Sequence, residues 1–310
     1  MAPTTDCAAA FSAALLDMAR ADERICIVNN DSAETHSALG FQAELPDRFV
    51  DVGIAEQNLV GVSIGLANAG LRPFVYSASC FLTARALEQI KNAAYTNANV
   101  VFCGFVSGLA YGALGGTHHA VEDLAWMRSI PRMTVLAPAT PNDTVAALRE
   151  AMTIEGPVYI RIVSKLDTPE LFPADHTFAS GGSVQLSEGE DVTLVGTGLL
   201  TTRLVEAAEL LKADGIRAGV LHLGSVRPID AEAIGRAARR SGRLVVAEDH
   251  VLNGGLGGAV AETVVRTHPV PVLQLGVPNE YAPIGPAEFL YEHYGLTAQG
   301  VAKRVAQWLA

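Results

Sequence analysis

The chain has 310 residues, of which 49% are hydrophobic and 18% charged, and a formal net charge of −11. That length suggests two domains. An acidic surface argues against nucleic acid and anionic membrane as partners, although a single site can still be locally basic. The apolar fraction exceeds what a solitary soluble domain usually needs, and it fits either a Leu/Ala/Val-rich α/β protein or, the favoured reading, surface buried against other subunits.

Helical and strand patterns alternate along the chain. Residues 6–20 read as a helix and 24–29 as a short buried strand. A helix follows over 56–70, a strand over 72–77, a helix over 82–96 and a strand over 100–106. Another strand at 133–138 leads into a helix opening near Pro141, and 157–163 closes the block as a strand. This βαβ repetition predicts a mostly parallel sheet with helices on both faces. Residues 166–190 are rich in Pro, Gly, Ser and charge and read as a linker. A second α/β block follows, with strands at 191–198, 218–224, 243–249 and 270–276, helices at 201–213 and 258–267, and a helical tail from Ala287 to Leu309.

Cys7, Cys26, Cys80 and Cys103 show no CxxC or Cys/His spacing, so buried free thiols in a reducing compartment are expected. The N-terminus lacks a basic stretch followed by an apolar one, and no run of about 18 uncharged apolar residues occurs. A cytoplasmic location is the expectation.

Three segments can carry chemistry. Gly53-Ile54-Ala55-Glu56-Gln57-Asn58 lies where a strand ends and a helix begins, and by itself Glu56 reads as a first-turn acid favoured by the helix dipole. Phe81 opens the segment Phe81-Leu82-Thr83-Ala84-Arg85-Ala86-Leu87-Glu88-Gln89-Ile90 and would otherwise be a core aromatic. Residues 108–119 hold four glycines within nine residues, then Thr117-His118-His119. Such glycines suit a loop that approaches a ligand closely.

Taken in order, GIAEQN, FLTARALEQI and GGTHH resemble the transketolase family, including the deoxyxylulose phosphate synthases, over nearly the whole chain. The resemblance implies an α/β fold of two doubly wound domains: a pyrimidine-binding domain for thiamine diphosphate over 1–165, a linker over 166–190 and a transketolase C-terminal domain over 191–310. It assigns Glu56 to N1′ of the cofactor's aminopyrimidine, where a carboxyl group promotes the tautomer shift that lets thiamine lose its C2 proton. Phe81 matches the aromatic that stacks on that ring, with Ile54 beside it. His118 matches a substrate-facing histidine able to donate to a substrate oxygen or move a proton. His119, in place of the usual glutamine, and Lys165 complete the expected substrate set. No residue is assigned to a metal.

Glu248-Asp249-His250 and the glycines at 254–258 resemble a stretch of the family's C-terminal domain rather than a dinucleotide site. Glu248 and His250 therefore read as structural or interfacial. Full-length family members carry a further domain whose GDG…N motif binds the magnesium diphosphate, and no GDG occurs in this sequence. The resemblance thus implies the β subunit of a split, two-chain transketolase in an α₂β₂ assembly. The N-terminal partner subunit would supply the diphosphate site and hold Mg²⁺, and thiamine diphosphate would be shared between the chains. The alternatives are a deoxyxylulose-phosphate-synthase-like enzyme, the β subunit of a 2-oxoacid dehydrogenase and, in another class, a non-catalytic scaffold. Retention of Glu56, Phe81 and His118 argues against the scaffold. Finally, Val106 and Leu114 stand where family members have a phosphate-binding histidine and a hydroxyl-reading aspartate. Only Ser164 and Lys165, with Arg161 on the strand, stand near a phosphate-binding arginine. These departures predict two-carbon ketol transfer with an unusual partner substrate.

Overall fold

The computed structural model describes residues 6–310. The first domain holds strands β1 (Ile25–Asn29), β2 (Phe49–Asp51), β3 (Arg72–Ala78), β4 (Val101–Phe105), β5 (Thr134–Leu136) and β6 (Val158–Arg161). Its helices are α1 (Cys7–Ala21), α2 (Leu39–Glu44), α3 (Glu56–Asn68), α4 (Ser79–Arg85), α5 (Leu87–Tyr95), α6 (Asp123–Ser129) and α7 (Pro141–Thr153). The second domain contains β7 (Val184–Ser187), β8 (Val192–Gly196), α8 (Leu200–Ala213), β9 (Ala218–His222), β10 (Ser225–Arg227) and α9 (Ala231–Ser241). It ends with β11 (Leu244–Val251), α10 (Leu256–Thr267), β12 (Val272–Val277), α11 (Ala287–His293) and α12 (Ala298–Leu309).

The expected doubly wound α/β domains are present. Strands β1, β3, β4 and β6 are buried along their whole length, as continuous apolar runs between two helical layers should be. The larger sheet has the order β10-β5-β6-β4-β3-β1-β2 and the smaller one β12-β11-β8-β9-β7. All pairings are parallel except β10 on β5 and β7 on β9. All four cysteines are free and buried. No helix among the described residues is long and apolar enough to cross a membrane.

Several details depart from the sequence reading. The helix expected over 82–96 breaks at Ala86, where ψ turns to 18° and α4 ends. The helical tail is two helices, parted at Gly295, whose φ of +65° no continuing helix allows. Strand β7 lies inside the 166–190 stretch and pairs with β9, so part of that segment belongs to the second sheet. Strand β10, after β9, crosses over and pairs with β5 of the first sheet.

The stretch between β6 and β7 is strapped down. Glu170 accepts from the Thr140 hydroxyl and the Asn142 amide at the start of α7. Asp143 on α7 accepts from His176 and from His222 at the end of β9, each at 3.0 Å. Burial opposes its charged form, but the two imidazoles and the Ala139 amide outweigh that and hold the carboxyl at about 2.

A buried arginine bolts the domains together. Arg161, at the end of β6, donates through Nε to Asp123 at 2.9 Å, through Nη1 to Asp249 on β11, and through Nη2 to the carbonyls of Ala120 and Asp249. Tyr159 donates to Asp123 and Tyr291 to Asp249, so both carboxylates are further satisfied. Burial alone would weaken the guanidinium, yet the two aspartates raise its pKa well above normal. Gly108, at φ +61°, passes so close to Asp249 that any Cβ would collide with that carboxylate.

Candidate functional site

The site gathers at the carboxyl ends of the first sheet's strands, where open α/β sheets place ligands. Asp51 ends β2 and ties the turn together. Its carboxylate accepts from the Asn29 side chain and from the amides of Asp31 and Gly53. Gly53 turns the chain at φ +71°, and α3 starts at Glu56. The Glu56 side chain points inward and is 4% exposed. Its Oε1 accepts from Arg85 Nη1 at 2.8 Å and from Asn30 Nδ2 at 3.2 Å. Asn30 also donates to Ser77 at the end of β3, which fixes the amide.

Phe81 lies on α4, directly after β3. Its ring carries the Arg85 guanidinium 4.0 Å from its centre and meets His118 edge to face at 5.0 Å. The imidazole also packs against Tyr111 at 5.4 Å, and its Nδ1 shares a 2.9 Å hydrogen bond with Thr117 Oγ1. Lys165, exposed beyond β6, sets its ammonium 4.9 Å from the centre of the Tyr111 ring. An open cavity of about 460 Å³ lies against Ile54, Ala55, Glu56, Gln57, Asn58 and Arg85. Ile54 stands 75% exposed on its rim.

Phe81 thus joins Arg85, the partner of Glu56, to His118, although the three motifs lie far apart in the chain. His119 is not among them. It is buried, and its Nε2 donates to the Gly112 carbonyl at 2.9 Å. Arg161 is consumed by Asp123 and Asp249 and offers no donor to a substrate. The loop glycines serve the domain contact: a Cβ at Gly112 would strike the backbone of Gly285 and Ala287, and Gly115 faces Ile284. Glu248 is structural, accepting from the Leu256 and Gly257 amides at the start of α10. His250 accepts from the Ala125 amide through Nε2 and donates through Nδ1 to the Val251 carbonyl, so both ring nitrogens are taken up by the backbone.

The residues missed from sequence are Arg85, Asn30 and Tyr111. Arg85 had a signal, since i and i+4 on a helix share a face and this spacing sets it over Phe81. The backbone is strained at the same place. Val106 after β4 and Lys165 after β6 have φ of +50° and +62°. A β-branched residue seldom takes that conformation, and such strain collects at functional sites. The Val106 amide is held there by Ser164 Oγ at 3.2 Å, and its side chain is fully buried. Among the described residues no group of three or more His, Cys, Asp or Glu could hold a metal ion.

The geometry fits an aminopyrimidine. A buried carboxylate and an aromatic face converge on one flat, N–H-bearing group, which in this structure is the Arg85 guanidinium. Comparison with known proteins gives the family. Residues 4–168 match the transketolase pyrimidine-binding domain, and residues 181–301 match the transketolase C-terminal domain. The chain is 37% identical to an apulose-4-phosphate transketolase subunit of Phocaeicola vulgatus, over 98% of this chain and 97% of that one. It is also 37% identical to a 6-deoxy-6-sulfo-D-fructose transketolase subunit of Clostridium sp., over 93% and 90%. A solved split gene transketolase, described as an inactive β4 tetramer, superposes with a TM-score of 0.87 at 39% identity over 97% and 96% of the two chains. The chain belongs to the transketolase family, as a transferase subunit made of that family's pyrimidine-binding and C-terminal domains.

Proposed function

We propose that this chain is the β subunit of a two-chain, thiamine diphosphate-dependent transketolase that moves a two-carbon ketol unit. The observation that carries it is the buried Glu56 carboxylate at the start of α3, facing a flat group stacked on Phe81 beside His118. The cofactor, when bound, would supply the carbon nucleophile that takes up the ketol unit. Glu56 would bind the pyrimidine ring and hold a proton at Oε1. Phe81 would give the ring an apolar face, and Ile54 would cover its edge. Thr117 on Nδ1 orients His118 and leaves Nε2 to hydrogen-bond a substrate oxygen.

The partner in this reading is an N-terminal subunit carrying the diphosphate and Mg²⁺ sites, in an α₂β₂ assembly, and the location is cytoplasmic. A partner is supported by the relatives, one described as a transketolase subunit and another as an inactive β4 tetramer of a split gene product. The substrate is read from what the pocket lacks. Val106 is buried, Leu114 is aliphatic and half exposed, and Arg161 is spent, so Lys165 supplies a point charge where a forked donor would give bidentate recognition. Ketol transfer is expected only when both subunits are mixed, and weakly with xylulose 5-phosphate and ribose 5-phosphate. A coupled assay over a panel of ketoses and aldehydes checks this. Turnover of that standard pair with kcat/KM of about 10⁴ M⁻¹s⁻¹ or more would mean an ordinary substrate range. Turnover by this chain alone would overturn the two-chain reading.

A further inference from the structure

Glu56 is nearly buried, and its one cationic partner among the described residues is Arg85. The Arg85 guanidinium makes two contacts at once. It donates to Glu56 Oε1 at 2.8 Å and lies 4.0 Å from the centre of the Phe81 ring. A carboxyl group and an aromatic face are the two contacts that the proposed function gives the aminopyrimidine. Guanidinium and aminopyrimidine are both flat, both hydrogen-bond in the plane and both stack on rings. They cannot share one carboxylate oxygen and one ring face.

We propose that Arg85 is a plug. In the lone subunit its guanidinium occupies the pyrimidine subsite, and the cofactor ring seats only after Arg85 has swung away. This rests on the reading of Glu56 and Phe81 as the pyrimidine site. The side chain is free to swing. It is 48% exposed and opens onto the 460 Å³ cavity that it shares with Glu56. It is also the last residue of α4, next to the break at Ala86. The plugged state is favoured because Glu56 otherwise keeps only the 3.2 Å contact from Asn30, whose amide is shared with Ser77. His118 packs edge to face on the same Phe81 ring, so release of Arg85 also frees the surface that orders the imidazole. The consequence is a subunit that guards its own carboxylate until the site is completed. A plugged state preferred about tenfold lowers apparent affinity for the ring about tenfold, because only the open fraction binds.

The test uses the full chain and the pyrimidine half of thiamine, 4-amino-5-hydroxymethyl-2-methylpyrimidine, which needs no diphosphate site. Ligand-observed NMR titrations compare wild type, Arg85→Ala and the Arg85→Ala/Glu56→Ala double variant, with circular dichroism to check each fold. Arg85→Ala should bind the pyrimidine about tenfold more tightly than wild type. The double variant should lose that gain, because the carboxyl group freed by the first change is then gone. Binding by Arg85→Ala equal to or weaker than wild type would overturn the plug while leaving the pyrimidine site standing. No binding by either protein, with Glu56 and Phe81 intact in both, would remove the pyrimidine-site reading and the plug with it.

Discussion

Glu56→Gln should slow proton–deuterium exchange at C2 of thiamine diphosphate by about two to four orders of magnitude in the reconstituted complex, the usual worth of one positioned acid–base group. The amide is nearly isosteric and still accepts from Arg85 and Asn30 through its oxygen, so α3 and the turn at Gly53 should stand unchanged. What is lost is the ability to hold a proton against the ring. Exchange followed by NMR after acid quench measures this step without any substrate, so the unknown donor sugar does not matter. A wild-type exchange rate in the variant, with cofactor bound, would show that Glu56 does not activate the ring. A variant that binds no cofactor would show that Glu56 contributes to holding the ring as well. Comparison at saturating cofactor separates the two effects.

Arg161→Met should be the most damaging single change to the fold. Asp123 and Asp249 are both buried, and among the described residues each has its ion pair with this guanidinium. Breaking a buried ion pair by removing one partner costs about 3–5 kcal/mol, because a bare charge is left in a poor solvent for it. Here two carboxylates are stranded, with only Tyr159, Tyr291 and their own local contacts to help. The damage falls on the junction of the two domains, since Asp249 belongs to β11 and Asp123 to α6. Arg161→Lys keeps the charge and loses the fork, so it should cost less than Arg161→Met. Urea denaturation of all three proteins reads the difference. A loss below about 1 kcal/mol for Arg161→Met would mean that the carboxylates find other partners or take up protons without penalty.

The fold was legible because its strands are plain apolar runs separated by helical patterns. β1, β3, β4, β5, β6, β8, β9, β11 and β12 all fall inside or beside the segments expected from sequence. β7 and β10 were not read, and β2 was read only as a strand ending before Gly53. All three are three or four residues long and sit at sheet edges, and β7 alternates between half-buried and exposed positions in a segment whose composition says loop. α9 was also missed, although its strong amphipathic pattern and its Asp230 N-cap are visible once sought. Glu56, Phe81 and His118 could be named because each sits in a motif that resembles a family. What they touch could not. Whether Glu56 meets water, a cation or an apolar wall depends on where α4 ends relative to α3, and that is a packing outcome. The same holds for the glycine-rich loop. Its composition signals a close approach, and the structure identifies the approaching surface as the second domain. His119 and Arg161 show the opposite limit. Both have the right chemistry for a substrate site, and both are withdrawn from it by buried partners, Gly112 for one and two aspartates for the other.

The division of the cofactor site between two chains is tested by calorimetry of thiamine diphosphate with Mg²⁺, titrated first into this chain alone and then into its mixture with the N-terminal partner. Most of the cofactor's binding energy should come from its diphosphate and metal, which call for oxygen ligands that the partner would supply. Weak or undetectable binding to the lone chain is expected, with tight, Mg²⁺-dependent binding to the mixture. Tight, Mg²⁺-dependent binding to the lone chain would contradict a divided site.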